Sequence, residues 1–192
     1  MKNLLFISVC LVYAAGTSAQ GVFANKTSST LEKVIQDYPN RFRNIKGEVL
    51  EENPQTTEYR STIGLPGSSS CTVTRYNSKT DDVYSWTCVV FEGEDFTVVK
   101  NKYKELFGQI KNAIIKVEGQ HPFILNGQYE SPSEEKKFTT VIFELLPAVG
   151  EMKKLKIDLT LQYMMSGWKI SLSVYDRQHP EDEQIGALIK SF

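Results

Sequence analysis

The sequence predicts an α+β protein: an antiparallel sheet or sheets of about eight strands, with helices packed on one face. Three observations carry this. The stretches 71–88 and 155–174 alternate apolar and polar residues with a period of two, as half-buried strands do. Two other stretches, "SSTLEKVIQDYP" and "EGEDFTVVKNKYKELFGQIKNAIIKV", repeat apolar residues at helical spacing. The elements run helix, four strands, helix, four strands, an order typical of antiparallel α+β folds.

The first helix is expected from Ser29, whose pairing with Glu32 three residues on is a capping-box pattern. Leu31, Val34, Ile35 and Tyr38 form its apolar stripe, and Pro39 stops it. "RFRNIKGEVL" and "TTEYRSTIG" read as strands, and "LPG" as the turn that follows. A centred hairpin over 71–88 sets Cys71 opposite Cys88, Val73 opposite Trp86 and Arg75 opposite Tyr84. Its other face then pairs Thr72 with Thr87, Thr74 with Ser85 and Tyr76 with Val83, and a one-residue slip would destroy both pairings.

In the long helix Val99, Tyr103, Leu106, Ile110, Ala113 and Val117 share one stripe. Glu92, Glu94 and Asp95 gather near its positive end. "HPFILNGQYE" and "KKFTTVIFELLP" are the next strands. A hairpin turning at "MMSG" then pairs Tyr163 with Trp168, Leu161 with Ile170 and Leu159 with Leu172. Ile185, Leu188 and Ile189 suggest a short closing helix over 181–191. The echo of "YRSTIGLPG" in "FTTVIFELLPA", with Trp86 and Trp168 each opening a return strand, suggests a duplicated unit over 28–91 and 95–176.

Residues 1–19 read as a signal peptide: Lys2, then the apolar run "LLFISVCLVYAA", then small residues before Gln20. That run is too short to span a bilayer, so residues 20–192 are expected as a single exported domain, periplasmic or secreted. The chain carries 22 Lys and Arg against 23 Asp and Glu, which offers no electrostatic reason for nucleic acid as a partner. Asn25-Lys26-Thr27 fits a glycosylation sequon.

Of three cysteines, Cys10 falls inside the leader, and the pair that remains favours a disulfide, Cys71–Cys88, in an oxidising compartment. A zinc site needs close Cys/His pairs, whereas the two histidines, His121 and His179, each stand alone before a proline. Catalytic dithiols are usually spaced C-x-x-C, unlike this pair. "GSSSC" lacks the glycine that a nucleophile elbow needs after its serine. Asp81-Asp82, Glu134-Glu135 and Glu181 to Glu183 sit in turns, a loop and a helix start, where acidic residues are common. No metal, cofactor or catalytic residue is therefore assigned.

The residues left for binding are apolar. Met164 and Met165, beside Tyr163 and Trp168, form either an exposed, adaptable patch or a tip tucked against a neighbouring loop. Trp86 and Trp168 either line a sheet–helix pocket or belong to the core. The segments "SAQ", "YPNRFRNIKGEVL", "LPGSSSCTVTRY", "YSWTC" and "EEKKFTTVIFELLP" resemble small exported proteins of the Bacteroidota. The resemblance implies export and transfers no catalytic residue. The reading that follows is a non-enzymatic binding module for an apolar small ligand or a protein partner. The alternative is an exported hydrolase working through loop carboxylates.

Overall fold

The computed structural model describes residues 25–78, 81–165 and 167–176. The leader over 1–19, the closing helix over 181–191 and His179 lie outside them. The elements are α1 (Lys26–Asp37), β1 (Lys46–Glu52), β2 (Thr56–Ser61), β3 (Ser70–Tyr76), β4 (Val83–Gly93), α2 (Phe96–Ile110), β5 (Ile114–Ile115), β6 (Phe123–Gly127), β7 (Phe138–Leu146), β8 (Leu155–Met164) and β9 (Gly167–Asp176). The described strands form one antiparallel sheet in the order β1-β2-β3-β4-β9-β8-β7-β6-β5.

Both helices pack on one face. β4 and β9, the last strand of each half, meet at the centre, so the two α-β units are related about the β4–β9 seam. β5 is the addition that breaks this correspondence, giving nine strands among the described residues where eight are expected. The reason is local. Asn112 takes a left-handed conformation (φ 64°) that ends the helical run, and Ile114-Ile115, both β-branched, then pair with Phe123 and Ile124. Ala113 and Val117 therefore leave the helical stripe.

The start of α1 also differs from expectation. The cap is Asn25, whose Oδ1 accepts from the Ser28 amide at 2.7 Å, while its Nδ2 donates to the Gln109 carbonyl at the end of α2. Thr27, buried, donates to Gln109 Oε1 at 2.7 Å. The sequon is thus occupied by an interhelical tie. Glu32 does not cap; it reaches the backbone of Lys116.

"RFRNI" is a turn, and the strand begins only at Lys46. Arg41 and Phe42 both have positive φ (57° and 55°), unusual for residues with side chains. Asp37 holds this turn: its carbonyl accepts from the Phe42 amide, and its carboxylate accepts from the Asn44 amide at 2.9 Å. Phe42, fully buried, anchors it.

Both hairpins adopt the register expected from the sequence. Cys71 faces Cys88, Val73 faces Trp86 and Arg75 faces Tyr84, and the cysteines are disulfide-bonded. Tyr163 faces Trp168, Leu161 faces Ile170 and Leu159 faces Leu172. The inward residues of β3, β4, β7, β8 and β9 join Leu31, Val34 and Ile35 of α1 and Val99, Tyr103, Leu106 and Ile110 of α2 in one core. Each such fully buried aliphatic side chain contributes about 1.5–3 kcal/mol.

Candidate functional site

Among the described residues nothing covers the other face of the sheet, and its residues fall into cross-strand rows. One row runs Thr72, Thr87, Ser173, Asp158, Ile142, and the next runs Ser70, Val89, Ser171, Thr160, Thr140. Thr87 and Ser173 hydroxyls lie 3.1 Å apart, as do those of Thr140 and Thr160, and Tyr175 donates to Asp158 at 3.0 Å. Hydroxyl side chains tied to one another across strands give a stiff, wet platform.

The platform changes character toward β5. Ile114 pairs with Ile124, and Ile124 with Leu146, so three large aliphatic side chains stand in one row on the uncovered side. They are 43–46 % exposed, and Ile142, on the same face of β7, is 48 % exposed. Strand spacing puts neighbours in this row about 5 Å apart. Scattered surface apolar residues are ordinary, whereas these three adjoin one another beside a polar field.

The two sheet edges are each made unsuitable for a further strand. β1 is broken by irregularities on either side of Val49 and is rich in glutamate. At the opposite edge α1 supplies side chains in place of a further strand: Glu32 Oε2 accepts from the Lys116 amide at 3.0 Å, and Gln36 Nε2 donates to the Lys116 carbonyl at 2.8 Å.

The hairpin of β8 and β9 carries most of the sequence-derived candidates. Trp168 is buried, its ring centre 4.8 Å from that of the tilted Phe96 ring and 5.2 Å from that of Tyr163. Lys137 Nζ lies 4.4 Å above the Tyr163 ring and 5.5 Å from Trp168. The tip does not tuck: Met165 is 98 % exposed with φ 52°, and Met164 is exposed beside it. Trp86 lies apart from this cluster, fully buried, with its indole donating to Ser61 Oγ at 2.9 Å. Thus Tyr163 and Trp168 come together, Met164 and Met165 stand exposed at the tip beside them, and Trp86 and Trp168 both belong to the core.

Loops at the end of the sheet enclose a cleft of about 670 Å³ that includes His121 and Glu151. A recess of about 160 Å³ beside it holds Asp81, Asp82, Glu151 and Asp176, with Arg41 paired to Asp81 at 2.9 Å. Burial raises the Tyr38 hydroxyl well above the ordinary tyrosine range there, and Asp176 and Glu151 push it further. The row Ile114–Ile124–Leu146 was beyond sequence reasoning, because it exists only once β5, β6 and β7 are neighbours; the alternating "FTTVIFELL" was its one legible trace. Comparison of the chain with family profiles, curated proteins and solved structures returns no match.

Proposed function

We propose that this chain is an exported, non-enzymatic binding module that takes a protein partner on the uncovered face of its sheet. The observation that carries the reading is the exposed row Ile114–Ile124–Leu146 at the margin of a hydroxyl platform. A broad face with an apolar strip and a polar field suits a protein surface, where a few desolvated anchors supply the energy and hydroxyls supply adaptable hydrogen bonds. The irregular, glutamate-rich β1 edge and the side-chain bonds at Lys116 favour the face over strand addition. Filling of the sheet–helix interior by Trp86, Tyr103, Phe123 and Phe143 favours a protein over a small ligand held inside the core.

The test is a photo-crosslinking residue placed in turn at Ile124, Ile142 and Ser171, with Lys104 on the helix side as control, in the organism that makes the protein. Adducts of one discrete mass are expected from the face and none from Lys104. Ile114→Lys with Leu146→Lys should abolish them without lowering the melting temperature. Absence of adducts at the face, or equal adducts at Lys104, overturns the reading.

A further inference from the structure

The cleft at the end of the sheet has no part in that reading, and its chemistry points to a different occupant. Its apolar part is made by the exposed Pro39, Pro147 and Val149, backed by the buried Phe123 and Met152. At about 670 Å³ it falls within the roughly 300–1,000 Å³ of ordinary small-molecule sites. Three polar side chains stand at it, Gln120, His121 and Glu151, and only Glu151 is a carboxylate. Glu151 is exposed on the turn Gly150–Lys153 and also lines the acidic recess.

Pro39 and Glu151 are common to both hollows, so the apolar cleft adjoins the recess of Asp81, Asp82 and Asp176. Four carboxylates meet two cations there, Arg41 and Lys154, and Arg41 is already paired to Asp81. Burial first, and then Asp176 and Glu151, raise the Tyr38 hydroxyl that lines this recess. An apolar hollow that ends at an excess of negative charge complements a ligand with an apolar body and a positive head.

We propose that the cleft between Pro39, Phe123 and Met152 is a binding site for small amphiphilic cations of the alkyl- or arylalkylammonium class. The apolar body lies against Pro39, Pro147 and Val149, and the ammonium lies beside Glu151 at the mouth of the recess.

The probes are 4-phenylbutylammonium, 4-phenylbutyrate and 4-phenylbutanol, titrated separately into the isotope-labelled full chain and followed by amide chemical shifts. The ammonium compound should shift Gly119, His121, Gly150 and Glu151 saturably, and the carboxylate compound should not. Glu151→Gln should weaken the ammonium compound about fivefold, the size of one partly exposed ion pair. The alcohol should fall between the two. Equal affinity for the three probes would make the cleft a plain apolar surface and overturn the proposal. Shifts that map outside the cleft, no saturable shift with the ammonium compound, or an affinity unchanged by Glu151→Gln would overturn it as well.

Discussion

Two tyrosines show how single side chains are conditioned by this fold. Tyr103 is fully buried and donates to the Leu159 carbonyl at 3.2 Å, tying α2 to β8. Burial raises its hydroxyl, as burial and then Asp176 raise that of Tyr38. Above pH about 10 the unfolded chain loses these protons while the folded chain keeps them. The stability they contribute is therefore complete below that pH and falls as the pH rises. Unfolding free energies from urea titrations followed from about pH 9 to about 11 should decline, by about 1.4 kcal/mol in all for each tyrosine and nearly all of it above pH about 10. Tyr103→Phe should remove one such share of the slope and cost about 1 kcal/mol at neutral pH. A slope unchanged in Tyr38→Phe and Tyr103→Phe would assign the alkaline loss elsewhere.

Among the elements, the β3–β4 hairpin and the β8–β9 hairpin occupy corresponding places on either side of the seam, and they are held differently. One carries the Cys71–Cys88 bridge across its strands, while the other places Leu159 against Leu172 and Leu161 against Ile170. A bridge across a sequence separation of 17 constrains the unfolded chain by about 3 kcal/mol. Cys71→Ala with Cys88→Ala should lower the free energy of unfolding by about that amount. A loss under about 1 kcal/mol would mean that the unfolded hairpin stays close without the bridge. Both registers were legible because strict alternation admits one facing only. The helix ends were less so: Ser29 with Glu32 fits the capping pattern, yet Asn25 takes the role because it can also bond Gln109, eighty-four residues away.

At the scale of the whole molecule, the seam decides whether the two α-β units behave as one body. Trp86 of β4 pairs with Val174, and Gly93 at the end of the same strand pairs with Trp168 of β9, so the units share the central ladder and one core. Unfolding should be a single transition. Trp168→Phe leaves Trp86 to report the first unit, and Trp86→Phe leaves Trp168 to report the second. After correction for each variant's own stability, fluorescence and far-UV circular dichroism should share one midpoint within each protein. Separated midpoints would show two units folding independently.

The sequence by itself determined the class, the two facing patterns, the disulfide and the separation of a sealed face from a wet one, because all of these are periodicities or pairings between near neighbours. The tertiary structure alone decided which exposed side chains stand together. Ile114, Ile124 and Leu146 come from three segments with a loop between each, and only the order β7-β6-β5 turns them into a row. In the same way Pro39, Phe123, Met152 and Glu151 become one cleft through the return of distant loops to the same end of the sheet. Local alternation fixes which way a residue faces; its companions on that face depend on strand order, which is set by long-range packing.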